Sequence, residues 1–345
     1  MIQTKPQLER YLKTINSNSR LAIDTEFKRI NTYYPELCLV QIATIDSEEC
    51  IDVLSINDLD PLFEKLYHNK TEWIVHSARQ DIEALYHLSK RMPTSLFDTQ
   101  IAASLLNYPL QISYQALTEI LQDVQLDKSF TRFDWTTRPL PANVVEYALD
   151  DVRYLLPNFK TLEHELTISK KIQWLDEETR FLLDQELYEP SIEQICYKTK
   201  GLSQLGKKFQ DKAIKLAAWR ENNAQQKNKP RKWIMSDNKL LDYACGKSKL
   251  STRSQKHYDD FVKESSETYS LPELLTPQKP LTSSEKSKKN ELQRIINSIA
   301  EVYNLPPEII STSKSLIRFM RGDLSAPLCS GWRAKLFNKE GLNAK

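Results

Sequence analysis

Glycine is almost missing from the first half of this chain. All six glycines of its 345 residues lie at or after Gly201. A Walker A loop and a dinucleotide-binding G-x-G-x-x-G both need glycine to let backbone approach phosphate. Residues 1–200 can hold neither, which argues against an ATP- or NAD-dependent enzyme built on them. Long apolar runs are lacking as well, and none approaches the ~18 residues of a membrane span. The start, Met1-Ile2-Gln3-Thr4-Lys5, is polar and has no apolar signal stretch. Cysteine is sparse and odd in number: Cys38, Cys50, Cys196, Cys245 and Cys329 are scattered with no C-x-x-C spacing. This pattern points to a reducing, cytoplasmic compartment and away from a disulfide framework or a zinc site.

What is present is an ordinary globular composition, 40% hydrophobic and 27% charged, in a chain long enough for two or three domains. The net charge of +2 hides an asymmetry. Residues 1–200 carry 21 basic and 31 acidic side chains, and the remainder carries 27 and 15. A head at −10 and a tail at +12 fit cation binding in the first and polyanion binding in the second. Two solvated surfaces would give the same count.

The first ~100 residues alternate strand and helix signals. Strand-like runs cover residues 21–26, 37–44, 49–54 and 73–76, the first three close enough for an antiparallel meander. Helical patterns cover 61–67, 77–89, 99–106, 114–121 and 142–166, with Ser77 as an N-cap and Pro141 near a first turn. A three-layer α/β domain with a mixed sheet and flanking helices follows. From about residue 170 the pattern is all helical, and a repeat emerges at an offset of 76. Residues 233–246 align with 309–322, matching Ile234 to Ile310, Leu240 to Leu316, Tyr243 to Phe319 and Gly246 to Gly322. Upstream, Pro230 matches Pro306. Each copy reads as a long amphipathic helix, a proline turn and a short capped helix ending at glycine. Residues 276–289 read as a linker, and 248–261 as a poor helix that leaves the first copy short. The expected domains are 1–170, a connector over 171–204, and two small all-α domains over 205–275 and 276–345.

The chemistry sits in acids. Asp24 and Glu26 are one residue apart at a strand end, so their side chains point the same way. Like charges held together repel, and a divalent cation between them is the usual remedy. Asp81 on one helix and Asp151 on another add two carboxylates, and Tyr147 lies one turn before Asp151 on its face. Phosphodiester hydrolysis needs an activated water, a shield for the charge at phosphorus and help for the leaving oxygen. Two divalent ions ~4 Å apart supply all three. Hard oxygen ligands suit Mg²⁺ or Mn²⁺. Asp24 can bridge both ions, with Glu26 and Asp151 serving the water-activating one and Asp81 the other. The Tyr147 hydroxyl can orient the attacking water. Each residue also has an ordinary structural role, and the set is more specific than any member.

Three stretches carry a family resemblance. They are Leu21-Ala-Ile-Asp-Thr-Glu-Phe27 running on through Arg29, Thr32-Tyr-Tyr-Pro35 and Leu39-Val-Gln41; His76-Ser-Ala-Arg-Gln-Asp81-Ile-Glu83; and Glu146-Tyr-Ala-Leu-Asp-Asp-Val-Arg-Tyr-Leu-Leu-Pro157. Between them lie Leu126-Asp-Lys-Ser129, Arg132-Phe-Asp-Trp135 and Arg138-Pro-Leu140. The chain resembles ribonuclease D, of the tyrosine-containing Asp-Glu-Asp-Asp 3′→5′ exonuclease superfamily. The helical repeat resembles two helicase-and-RNase-D C-terminal domains, modules that bind nucleic acid. The resemblance implies a ribonuclease H-like catalytic domain and catalytic roles for Asp24, Glu26, Asp81, Tyr147 and Asp151. It also implies removal of nucleotides from RNA 3′ ends as 5′-monophosphates, with transfer RNA precursors as substrates and no nucleotide cofactor or membrane.

Substrate-binding candidates are Tyr33 and Tyr34 at the terminal nucleotide, His76, and Arg132, Trp135 and Arg138 for phosphate contact and base stacking. A salt bridge to Asp134 and core packing of Trp135 form the plain alternative. Basic clusters at Lys207-Lys208, Lys229, Arg231-Lys232 and 286–289, near Phe209 and Trp233, suit an RNA backbone. The rival functions are a DNA-directed proofreading exonuclease and an RNA chaperone with vestigial acids.

Overall fold

The computed structural model describes residues 1–16, 19–264 and 280–343. They fall into two compact units. The first comprises Met1–Lys28, Leu37–Asp184 and Leu281–Lys345, and the second Arg29–Glu36 and Gln185–Pro280. These units follow packing, whereas the sequence divisions at 170, 204 and 275 follow composition and repeat.

The first unit holds a five-stranded sheet: β1 (Arg20–Lys28), β2 (Glu36–Ala43), β3 (Glu48–Asp52), β4 (Glu72–Val75) and β5 (Leu96–Asp98), in the order β3-β2-β1-β4-β5. β2 and β3 are antiparallel, while β1–β4 and β4–β5 are parallel. The expected mixed sheet is present, with one strand, β5, that the pattern did not disclose. Three buried residues are too short a run for period-two alternation to register. Helices α1 (Lys5–Thr14), α2 (Asp60–Leu66), α3 (Arg79–Ser89), α4 (Thr99–Leu105), α5 (Tyr114–Gln122), α6 (Ala142–Arg153), α7 (Leu155–Ile168) and α8 (Ile172–Thr179) flank it. α1 was also absent from the sequence expectation. A capping box starts it, in which the Thr4 side chain accepts from the Gln7 backbone N–H and Gln7 reaches back to Thr4.

The single helix expected over 142–166 is two. The Tyr114 hydroxyl sits in the break. It donates to the Asp150 carbonyl at 2.9 Å and accepts from the Tyr154 N–H at 3.1 Å, so it occupies the place of one helical rung. A side chain inserted into the ladder kinks a helix, and Pro157 removes the N–H that would have bonded the Arg153 carbonyl.

Both repeat copies form as the offset predicts. The second unit has α9 (Ile192–Lys198), α10 (Lys207–Gln226), α11 (Arg231–Ile234), α12 (Asp237–Ala244) and α13 (Thr252–Glu264). The first unit has α14 (Ser283–Tyr303), α15 (Pro307–Ile310), α16 (Ser313–Met320) and α17 (Gly331–Asn343). The starts of α10, α11 and α12 recur 76 residues later at α14, α15 and α16. Gly246 and Gly322 both take left-handed φ values, 76° and 84°.

The "poor helix" expectation fails, because residues 252–264 are helical. Tyr258 anchors them, 6% exposed and edge-on to both Trp219 and Tyr243. Phe261 and Val262, three and four residues on, pack against the same core, so a short apolar stripe is present. The linker expectation also fails where the chain is described, since α14 begins at Ser283 under a Thr282–Glu285 capping box. The rest of that stretch, 276–279, lies outside the described residues. The second copy packs on the sheet-bearing unit. Ile296, Ile299, Leu316 and Trp332 share one core with Leu105, Phe159 and Leu175, and Trp332 stacks on Trp174 at 4.7 Å. Among the described residues no helix is long and apolar enough to cross a membrane.

Candidate active site

β1 is central, and after the exposed Arg20 it runs through the core: Leu21, Ala22 and Ile23 are at most 1% exposed. Its pairing with β4 runs from Arg20↔Glu72 to Ala22↔Ile74, and β4 ends at Val75. Asp24 and Glu26 therefore lie past the carboxyl end of β4, where the sheet opens toward its loops. This is the usual place for ligand sites in such sheets. Asp24, Glu26 and Ala22 alternate with Ile23 and Thr25, so the two acids share the face that α6 covers.

α6 delivers the third acid. One carboxylate oxygen each from Asp24, Glu26 and Asp151 lies within 4.8 Å of the other two. Asp150 is drawn elsewhere. Arg153 pairs with it and also binds Glu48 at 2.9 Å through Nε and Glu146 at 2.8 Å. A guanidinium fork thus separates two adjacent aspartates, leaving Asp151 for the site.

Asp81 stands beside this trio and outside it. Its Oδ1 accepts the Thr25 hydroxyl at 2.6 Å, and the side chain is 7% exposed. Thr25 points to the other side of the pleat from Asp24, yet Asp81 is the strongest charge acting on Asp24, ahead of Asp151 and Glu26. The turn between β4 and α3, the helix that carries Asp81, is pinned by Asp98. Its carboxylate accepts the backbone N–H groups of Ser77 (3.1 Å) and Ala78 (2.9 Å), as well as those of Gln100 (2.9 Å) and Ile101 (3.3 Å) at the start of α4. Ser77 consequently sits at φ 62° and does not cap α3 as expected; Ala78 occupies that position.

The electrostatic result is a cluster of carboxyls that resist ionising. Burial, then the charges of Asp81, Asp151 and Glu26, hold Asp24 well above the usual carboxylate range. Burial, then Asp151 and Asp81, push Glu26 up to about 9. Asp81 is raised to about 7, chiefly by burial, against the lowering bond from Thr25. Asp151 is raised to about 7 by burial, then by Asp150 and Asp81. Proteins tolerate such groupings where a cation completes them. The donors are all carboxylate oxygens, which suits a hard divalent ion. Tyr147, 7% exposed, packs edge-on to Phe130 at 5.8 Å and beside Trp135 at 6.4 Å. Burial raises its hydroxyl further above neutrality, so it stays a neutral donor.

The secondary candidates divide. Trp135 is 4% exposed and wedged between Phe133 and Tyr147, so its ring offers no face to a base. Arg138 is consumed: it binds Asp52 through Nε (2.9 Å) and Nη2 (2.7 Å), and the carbonyls of Cys38, Trp135 and Thr137. Five donors meeting five acceptors make a structural pin, so phosphate contact there is corrected to fold support. Asp134 pairs with Lys28 at 2.9 Å, which leaves Arg132 exposed. His76 is held at both ring nitrogens, by Thr99 Oγ1 and the Ile112 carbonyl, each at 2.9 Å. Tyr33 and Tyr34 belong to the second unit, where both backbone N–H groups donate to Asn228 Oδ1 (3.0 and 3.1 Å) and the Tyr33 hydroxyl donates to Glu221. Sequence reasoning missed Thr25, Asp98 and Tyr114 as positioning residues. Only Asp98 had a legible signal, as an N-cap type directly before the 99–106 helix.

The chain is similar to known exonucleases. Residues 1–167 match a family described as 3′-5′ exonuclease. Ribonuclease D of Bartonella henselae is 34% identical, the match covering 99% of this chain and 88% of that protein. Ribonuclease D of Desulfotalea psychrophila is 31% identical over 93% of this chain and 90% of its own length. The crystal structure of Escherichia coli RNase D, described as an exoribonuclease involved in structured RNA processing, superposes with a TM-score of 0.82. It is 25% identical and covers 99% of this chain and 97% of its own.

Proposed function

The chain belongs to the ribonuclease D family, and from that premise we propose that it is a metal-dependent 3′→5′ exoribonuclease, shortening RNA one nucleotide at a time and releasing 5′-mononucleotides. The observation that carries this reading is the convergence of Asp24, Glu26 and Asp151 within 4.8 Å, with Asp81 adjacent.

Asp24, Glu26 and Asp151 would hold the divalent ions, and Asp81 would complete the set with the oxygen that Thr25 does not engage. Bound Mg²⁺ or Mn²⁺, two ions in this reading, lowers the pKa of water and offsets charge on the phosphate and the departing 3′-oxygen. Asp24, close to Glu26 on β1 and Asp151 on α6 and acted on by the charge of Asp81, would serve both ions. Tyr147, one turn before Asp151, would donate to or orient the attacking water, whose oxygen forms the new P–O bond as the P–O3′ bond breaks. Its proton passes to solvent, and the 3′-oxygen takes one in return.

We read the physiological substrates as 3′-extended transfer RNA precursors, the helical repeats as aids to RNA binding and the compartment as cytoplasmic. The basic tail, and the description of Escherichia coli RNase D as an exoribonuclease involved in structured RNA processing, support that reading. A time course on 3′-extended transfer RNA, resolving product lengths, tests it. Mg²⁺ should yield a ladder shortening from the 3′ end with free mononucleotides, and chelator, Asp24→Ala or Asp151→Ala should abolish it. Internal cuts, or digestion that survives chelator, would refute the assignment.

A further inference from the structure

We propose that the second unit contains a single-nucleotide subsite on α11, in which the Trp233 indole stacks a base of single-stranded RNA and Arg231 and Lys232 take the flanking phosphate. This rests on the RNA-substrate reading above but concerns residues apart from the acids.

The observations begin with exposure. Trp233 is 62% exposed, whereas Trp73, Trp135, Trp219 and Trp332 are at most 5% exposed. It borders a cavity of about 340 Å³, within the range for small ligands, whose other walls include Ile30, Lys198 and the buried Arg220. Ile30 is 69% exposed. Lys229 Nζ lies 5.8 Å from the Trp233 ring centre, so the indole already has a cation at one side. Arg220, 1% exposed, gives Nη1 to Asp237 (2.7 Å) and the Met235 carbonyl (3.2 Å) and Nη2 to Thr199, while its Nε donates to nothing among the described residues. Arg231 Nη1 faces Glu221 at 3.5 Å without hydrogen-bond geometry.

The internal repeat supplies a control. Counterparts 76 residues on are Pro307 for Arg231, Glu308 for Lys232, Ile309 for Trp233 and Ile296 for Arg220. The second copy builds the same one-turn helix, with Ile309 packed on the core and Ile296 0% exposed. Folding this turn therefore requires neither the indole nor the cations. Where the second copy has a proline, an acid and an apolar contact, the first has two positive charges and an exposed aromatic ring. An aromatic face beside cations is the chemistry that recognises a single-stranded nucleotide.

The test is fluorescence anisotropy with an unstructured single-stranded RNA, in chelator so that the RNA stays intact. Trp233→Ala should weaken binding by about fivefold to a hundredfold, and Trp233→Phe should recover most of it. Lys232→Ala should lower the slope of log affinity against log salt by roughly 0.7, as for one lost single-strand phosphate contact. Hydrolysis of the p-nitrophenyl ester of thymidine 5′-monophosphate, too small to occupy a second subsite, should be unchanged in all three variants. Affinity of Trp233→Ala within twofold of wild type, or a phenylalanine variant as weak as the alanine one, overturns the proposal. Should Trp233→Ala not fold, an unchanged salt slope for Lys232→Ala overturns it instead. A wild-type protein inert toward the ester condemns the catalytic reading alone, since the binding arms need no turnover.

Discussion

Removing one carboxylate of the acidic cluster should stabilise the metal-free protein. Consider Asp24→Asn. Its oxygens lie within 4.8 Å of Glu26 and Asp151. Two full charges at that separation repel by about 3 kcal/mol at an effective dielectric of ~20. At pH 8 Glu26, raised to about 9, is mostly protonated, whereas Asp151, raised to about 7, is mostly ionised. Asp81, also raised to about 7, is mostly ionised too, so an ionised Asp24 would meet two charges; about 3 kcal/mol for one pair sets the scale of the relief, whether felt as repulsion or as the proton that Asp24 keeps to avoid it. A gain of that size raises the melting temperature by about 6–12 °C in a unit this large.

The pH dependence has a definite sign. These carboxyls keep protons in the folded state that the unfolded chain, with pKa values near 4, gives up. The folded state then binds more protons, so stability falls as pH rises from about 4 to about 9. The advantage of Asp24→Asn should consequently vanish near pH 4 and be large at pH 8. Adding Mg²⁺ should reverse the order, since only an intact site gains binding free energy. Differential scanning fluorimetry in chelator and in Mg²⁺, at pH 5 and pH 8, reads all four conditions. An Asp24→Asn protein no more stable than wild type in chelator at pH 8 would mean that the acids do not repel as placed.

Tyr114→Phe removes the hydroxyl from the α6–α7 break; Mn²⁺ affinity measured by calorimetry should fall about tenfold as Asp151 loses its fixed aim, with only about 1 kcal/mol lost in urea unfolding. Arg138→Ala strands the fully buried Asp52 carboxylate and should cost about 3–5 kcal/mol in the same assay, while ester hydrolysis by the folded protein is unchanged. Trp332→Ala opens the stack on Trp174 and should cost about 3–5 kcal/mol; a loss under 1 kcal/mol would mean that the second helical copy contributes little to the first unit.

Local chemistry was legible wherever a short pattern carries it. Alternation along β1 put Asp24 and Glu26 on one side, helical spacing put Tyr147 and Asp151 on one face, and shared prolines and glycines fixed the two helical copies at a common offset. The mixed sheet followed from the order of strand and helix signals. Long-range partners were not legible. Nothing near residue 138 announces that Asp52 will absorb its guanidinium, nothing near 135 that its indole will lie under Tyr147, and nothing in the 142–166 periodicity that a hydroxyl from residue 114 will split the helix. Hydrogen-bond valence is decided by which groups meet, and the partners here lie 86 positions apart for Arg138 and Asp52, and 36 and 40 apart for Tyr114 with Asp150 and Tyr154. The same holds for Asp81, whose nearness to Asp24 is set by Asp98 gripping the turn before α3. Sequence alone determined which residues could do the chemistry; tertiary packing decided which were left free to do it, because a donor or carboxylate satisfied inside the fold has nothing left for a substrate.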